Sequence, residues 1–292
     1  MYQSSIASEP KEVDVIIIGA GPAGLSTALH LLQIDPSWAD RLLVLEKETH
    51  PRHKLCAGGV TRLGFEILEG LGIPMPLPLP QVFVDEAHLV YDSRVVRVCA
   101  QPEIVVFHRE EFDTYLADQA KARGVVIHEN EEVRFFAFSK QVITIKTDKT
   151  AYRAKVMVAA DGANGIVRRF LARNQAKNRI ARNLEILIPA LEDIKSLCPN
   201  KAVFEFTPAQ DNLQGYFWKF PSLVGGMATY NCGVYDARVA RTRSRSHLPV
   251  ILLDALRRYA LNLEGMRLQA HPIHRFSPRL SLIHISEPTR PY

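Results

Sequence analysis

The stretch Val13-Asp-Val-Ile-Ile-Ile-Gly19-Ala-Gly21-Pro-Ala-Gly24-Leu-Ser-Thr-Ala-Leu-His-Leu-Leu32 decides the fold. Val13–Ile18 is a short β-branched run bounded by glycine, the pattern of a parallel strand covered on both faces. Ala23–Leu32 then carries apolar residues at helical spacing and stops before Asp35-Pro36. Leu42–Leu45 is a second buried strand, so strand, glycine turn, helix and strand make one βαβ unit with a right-handed crossover. The three glycines have separate tasks. Gly19 permits the tight turn, Gly21 lets the backbone approach a pyrophosphate, and Gly24 allows close packing of helix on strand. The unpaired N–H groups at the helix start attract the anion. Glu46 closes the second strand 22 residues after Gly24, where a carboxylate accepts hydrogen bonds from the ribose hydroxyls of an adenosine. This frame holds NAD and FAD alike, and by itself does not choose between them.

Outward from that unit, Thr61–Leu71 reads as a helix ended by Gly72 and Pro74. Alternating prolines from Pro74 to Pro80 force an extended, stiff crossing between two lobes. Gln81–Val106 alternates as strands of the second lobe, with a turn at Asp92-Ser93. Arg109–Ala122 is a helix closed by Gly124, followed by a strand at Val125–Ile127, a hairpin over Val133–Ile145 and a buried strand at Val156–Ala160. Leu184–Tyr235 is mostly strand, and Leu248–Leu261 is helical.

Composition removes several classes. With 292 residues, 47% of them hydrophobic, the chain buries a sizeable core, and its 23% charged content does not suggest disorder. The net charge of +5 suits a phosphate-rich cofactor, an anionic membrane or a plain solvated surface. No aromatic-interleaved basic patch points to nucleic acid. Cys56, Cys99, Cys198 and Cys232 are far apart, which argues against disulfides and zinc and for the cytosol. His271-Pro-Ile-His274 is read as structural, since the proline opposes a helix and no carboxylate or cysteine accompanies the pair; no metal is expected. Residues 1–12 lack the apolar core of a signal peptide, and no apolar run has the length of a membrane span. Arg238, Arg241, Arg243 and Arg245 crowd one loop, either a solvated turn or a contact for anionic lipid or a donor protein.

The choice of cofactor comes from resemblance. Val106-Phe-His-Arg109-Glu-Glu-Phe112-Asp113-Thr-Tyr-Leu116 resembles the second signature of the flavoprotein family that contains aromatic hydroxylases and geranylgeranyl reductases. Val158-Ala-Ala-Asp161-Gly162-Ala-Asn164-Gly-Ile-Val167-Arg168 resembles the Asp-Gly motif of the same family. The resemblance implies FAD as cofactor, with Arg109, Asp161 and Gly162 in its binding. Pro51-Arg52-His53-Lys54-Leu-Cys56-Ala-Gly58-Gly59 resembles the Lys-x-Cys-Gly-Gly element of geranylgeranyl reductases, with Ala57 where glycine is common. That implies a loop beside the flavin in which Gly58 and Gly59 pass close to the ring. Cys56 is either a packed small hydrophobe or a residue that shapes the reactive face. Gly215-Tyr216-Phe-Trp218-Lys-Phe220-Pro221, with Asn231-Cys-Gly233-Val234, resembles the Tyr-x-Trp-x-Phe-Pro signature of those reductases. Tyr216, Trp218 and Phe220 alternate along one strand face, and form either a wall for a long apolar substrate or an ordinary core stripe. Halogenases of the superfamily carry a related Trp-x-Trp strand.

The expected protein is therefore α/β: a three-layer Rossmann-type FAD-binding domain at 1–75 and 105–172, with an interleaved, mainly antiparallel β-sheet substrate domain at 76–104 and 173–279. By the resemblance, reduced FAD gives hydride to an isoprenoid double bond and a proton joins the neighbouring carbon, with Cys56, Gly58 and Gly59 nearest the chemistry. NADPH or a ferredoxin-type partner is the expected electron donor, and the location is cytoplasmic with peripheral membrane contact as a second option. The runner-up is a flavin monooxygenase or halogenase. A third expectation is an incomplete chain that holds flavin poorly. Leu280-Ser-Leu-Ile-His-Ile-Ser-Glu-Pro-Thr-Arg290 resembles the in-frame translation of a transposase adapter used in sequencing libraries. Residues 280–292 are accordingly expected to be foreign, with His284 outside any site, and the family's Gly-Asp motif and helix to be missing after Pro278.

Overall fold

The structure is a computed structural model that describes residues 9–139, 141–171, 180–190, 201–238, 246–261 and 268–274. In chain order the first elements are β1 (Lys11–Ile18), α1 (Pro22–Ile34), β2 (Leu42–Leu45), β3 (Gly59–Thr61), α2 (Arg62–Gly70), β4 (Gln81–Tyr91), β5 (Arg94–Phe107) and α3 (Arg109–Ala122). There follow β6 (Val126–His128), β7 (Val133–Phe138), β8 (Ile143–Thr147), β9 (Ala151–Ala159) and α4 (Ile166–Leu171). The remainder is β10 (Ile180–Pro189), β11 (Lys201–Glu205), β12 (Gly215–Val224), β13 (Met227–Asp236), α5 (Leu248–Arg258) and β14 (Gln269–His274).

One sheet runs β6-β2-β1-β9-β8-β7, parallel from β6 to β9 and antiparallel beyond. The glycine-bounded run behaves as expected: Val15–Ile18 pairs in parallel with Leu42–Leu45, and all eight residues are buried. Alternation sends Val15 and Ile17 towards Leu25, Leu29 and Leu116 of α1 and α3. Ile16 and Ile18 face the other way, onto Val133, Phe136 and Ile145 of β7 and β8 and Val167 of α4. Helices, parallel sheet and the turned-over β7–β8 hairpin make the three layers. Each side chain so buried contributes roughly 1.5–3 kcal/mol, which explains a sheet with almost no polar residue at its centre. α1 ends where Asp35 leaves helical geometry, and its carboxylate accepts from the Ser37 N–H at 2.9 Å to start a 3₁₀ turn.

The second sheet runs β14-β10-β13-β12-β11-β4-β5-β3, antiparallel except for the β11–β4 pair. Its back face carries Ile186, Phe217, Cys232 and Val234 against Leu252 and Leu256 of α5. Its front face carries Trp218 and Phe220 with Val84, Ile104 and Val106.

The two sheets interleave more tightly than divisions at 75/76 and 104/105 imply. β3 lies before residue 75 yet pairs with β5, and β5 continues to Phe107. The physical reason is that β5 is one unbroken strand leading straight into α3. The proline crossing is no free spacer either, because Ile73 and Leu77 are buried in the helix-side core. The division near 172, Arg241, Arg243, Arg245, the side chains of His271 and His274, and residues 280–292 lie outside the described residues. Among the described residues no helix is long and apolar enough to cross a membrane, which leaves β-barrels unaddressed.

Candidate active site

A cleft of about 440 Å³ opens where β1 meets α1, lined among others by Gly19, Gly21, Glu46, Arg109, Asp161 and Gly162. Six of the seven residues expected to hold a cofactor thus converge. The seventh, Gly24, lies beneath: a Cβ there would meet the Gly19 carbonyl and the Ile17 side chain, so it serves the packing of α1 on β1. Gly19 has φ +103°, and a Cβ would strike the Ala160 carbonyl, so the turn requires glycine. α1 begins without a side-chain cap and without an acidic residue in its first turn. Its N-terminus is therefore open to an anion.

Glu46, 5% exposed, accepts from the N–H groups of Ala20 at 2.8 Å and Glu48 at 3.1 Å, which fixes the carboxylate at the end of β2. Above Gly21 stands Arg52, its Nη2 3.1 Å from where a Cβ would lie. Arg52 Nη2 also pairs with Asp113 Oδ2 at 3.0 Å, and its buried Nε has no hydrogen-bond partner. Arg109 grips the same Asp113 with two bonds, Nε to Oδ1 at 2.7 Å and Nη2 to Oδ2 at 3.0 Å. Burial opposes the Arg109 charge, but Asp113 outweighs it and keeps its pKa above the usual arginine range. Lys54 joins them, its pKa lowered by burial and then by the charges of Arg109 and Arg52. Three cations thus crowd the cleft beside a helix N-terminus, and the buried Arg52 Nε makes no hydrogen bond, with only the Glu46 carboxylate 3.6 Å away. The residues fit a diphosphate-bearing cofactor with an adenosine.

Asp161 lines the cleft and also holds a helix start. Its Oδ2 accepts from the Val167 N–H at 2.8 Å, capping the start of α4, and burial raises its pKa. Gly162, at φ +74°, has open space where a Cβ would be, so conformation rather than crowding demands glycine.

The loop Cys56–Gly59 joins the two sheets. The Phe107 N–H donates to the Gly58 carbonyl at 3.0 Å, and a Cβ on Gly58 would strike the Phe107 carbonyl. Gly58 is thus fixed by β5, while Gly59 starts β3 and lies against Ile104 and Phe220. Cys56 is half-buried, and its carbonyl accepts from Asn231 Nδ2 at 3.0 Å. Tyr216, Trp218 and Phe220 share one face, as alternation required. Trp218 and Phe220 are buried within the front-face cluster, and Tyr216 packs against it. Trp218 Nε1 donates to Asn231 Oδ1 at 2.8 Å, so a single amide ties the aromatic strand to the Cys56 loop.

Sequence reasoning missed Arg52, Asp113 and Asn231 as site residues. Arg109 and Asp113 stand four apart on one helix, a spacing that signals a pair, whereas only the fold brings Arg52 to them.

The model for the family described as FAD binding domain matches residues 12–243. An uncharacterised protein of Methanosarcina barkeri is 28% identical over 272 residues, which cover 90% of this chain and 63% of that protein. A digeranylgeranylglycerophospholipid reductase of Methanococcus aeolicus is 24% identical over 233 residues, 78% of this chain and 56% of the reductase. Among solved structures, a geranylgeranyl bacteriochlorophyll reductase-like protein of Thermoplasma acidophilum superposes with TM-score 0.70 at 20% identity, covering 90% of this chain and 66% of that one. The halogenase PltM, solved with phloroglucinol and FAD, gives 0.65 at 14%, covering 90% and 60%. At such identities the likeness establishes the fold alone. The chain spans under two thirds of the length of each of these proteins.

Proposed function

We propose, from the premise that this chain belongs to the FAD binding domain family, that it is the FAD-bearing part of a reductase of isoprenoid double bonds. Membership makes it an FAD-dependent oxidoreductase with FAD as cofactor. The substrate class is inferred from the aromatic strand. One observation supports it above the others: Asn231 joins Trp218 to the Cys56 loop, holding an aromatic, largely uncharged face against that loop.

In this reading Arg52, Arg109 and the open N-terminus of α1 hold the diphosphate, and Glu46 holds the adenosine ribose. Asp161 and Gly162 shape the wall opposite. Cys56, Gly58 and Gly59 border the reacting centre, while Tyr216, Trp218 and Phe220 align a long apolar chain and exclude water. When bound and reduced, FAD supplies the hydride. Electrons come from NADPH or a ferredoxin-type donor, and a lipid substrate would bring the protein to a membrane surface.

The competing chemistry is that of the monooxygenases and halogenases which share this fold. Anaerobic incubation of the FAD-loaded chain with dithionite and a digeranylgeranylglycerophospholipid separates the two. Saturated product without oxygen is expected. Turnover that needs oxygen, and yields a hydroxylated or halogenated product, would overturn the reading.

A further inference from the structure

Glu185 lies on β10 opposite Gly233 of β13, with Asn231 two residues along and Trp218 paired to Gly233 from β12. Cross-strand partners share a face, so Glu185 points the same way as Tyr216, Trp218 and Phe220, away from α5. It is 4% exposed. Its Oε1 accepts from Asn231 Nδ2 at 2.8 Å, the same nitrogen that holds the Cys56 carbonyl. Its Oε2 is buried and has no hydrogen-bond partner. An ionised carboxylate there would leave a charged oxygen unpaired, which a protein avoids by keeping the group neutral. Burial accordingly pushes the Glu185 pKa up, against the Asn231 hydrogen bond, the Cys56 backbone N–H and the charges of His53 and Arg109. In the neutral form Oε2 carries a hydroxyl whose proton has no acceptor in the described fold.

Reduction of an alkene adds a hydride at one carbon and a proton at its neighbour. The alkene gains two electrons, which the reduced cofactor loses with the hydride. The proton needs a donor on the substrate face, and resting on the isoprenoid reading above, we propose that Glu185 is that donor. The Oε2–H bond breaks as the new C–H bond forms, and water re-protonates the carboxylate left behind. Arg109 from α3, and His53 from the loop when it is protonated, favour that carboxylate in the interval. Asn231 from β13 and Gln269 from β14 face it without charge. Tyr216 shares the face, but burial raises its phenol further from neutrality, and Cys232 is buried on the opposite face against α5. A carboxylic acid is the stronger donor.

Glu185→Gln keeps an acceptor for Asn231 and removes the acidic proton. In the FAD-loaded chain under anaerobic, chemically reduced conditions it should slow isoprenoid reduction by about 10²–10⁴-fold, the range for a lost general acid, with FAD content unchanged. A second readout needs neither substrate nor FAD. The infrared difference between wild type and Glu185→Gln should contain the carbonyl band of a protonated carboxyl at neutral pH, and the band should vanish as pH rises. A variant that reduces isoprenoid as fast as wild type, or a wild type lacking that band at neutral pH, overturns the proposal alone. A wild type that reduces no isoprenoid overturns the substrate reading, and the donor role falls with it.

Discussion

The two ends of the site bury polar groups by opposite means. At the glycine turn, charge is set against charge: Asp113, fully buried, carries both Arg52 and Arg109, and Glu46 is fixed by backbone N–H groups. At the aromatic strand the groups are hydrogen-bonded in a chain, Trp218 to Asn231 to Glu185, with an acid that burial keeps towards its neutral form. The difference corresponds to what each end would meet. Paired cations can turn part of their hydrogen bonding to phosphate without leaving a bare charge. A network whose acid is biased by burial towards its neutral form can face a hydrocarbon at less of the desolvation cost that a full ion would bring.

That contrast can be broken by mutation. Asp113→Ala strips the shared partner from two guanidinium groups and should cost about 3–5 kcal/mol of stability, the range for breaking a buried ion pair. Urea denaturation measures it, and FAD content should fall as well. Trp218→Phe removes the indole N–H, leaving Asn231 Oδ1 unpaired, together with part of a buried ring, and should cost about 1–3 kcal/mol for the unpaired group plus a smaller loss of packing, with FAD retained. If Trp218→Phe proved the more damaging, the charged end would not be the one held by pairing.

The smallest effect is the pH dependence. Glu185 and Asp161 have pKa values raised above the ordinary 4.5 and 3.8, so the folded state binds these protons more tightly than the unfolded chain. Their contribution to stability is therefore lost as pH rises from those values through the raised ones. Asp14 and Glu129, lowered chiefly by hydrogen bonds and charges from Lys155 and Arg41 and from His50 and Lys121 respectively (for Glu129 against the opposing effect of burial), act the other way and lose theirs as pH falls. Unfolding midpoints across pH should show the alkaline decline weakened in Glu185→Gln and the acid decline unchanged. An unaltered alkaline limb would place the titration elsewhere.

What was legible in the sequence was local. The turn at Gly19, the packing role of Gly24 and the position of Glu46 follow from spacing along a few dozen residues, and the structure places them so. Less legible were the ends of strands. β9 begins at Ala151, well before the apolar run at Val156, because its first residues pair with Lys11, Glu12 and Val13 of a β1 that itself starts early. α5 stops at Arg258, short of Leu261. Arg52 and Glu185 could not be read at all. Nothing in the local sequence around Arg52 marks Asp113, on a helix far along the chain, as its partner. Glu185 sits in Asn183-Leu184-Glu185-Ile186, where both faces of the strand are buried, so alternation gives no warning that one inward position is acidic.

Among the described residues the larger sheet has a single parallel pairing, and it sets an order of assembly. β4 meets β11 in a register that joins Glu86 to Lys201, so on the ribosome the β4–β5 hairpin emerges long before the strand that completes it. β1 and β2, by contrast, pair across a single helix soon after synthesis. Pairing between segments so distant in sequence closes slowly. Until it closes, one whole side of β4 offers unsatisfied N–H and C=O groups to any other strand nearby, including the same hairpin of a neighbouring nascent chain. Low concentration or chaperone capture during that interval is what should most improve the yield of folded protein.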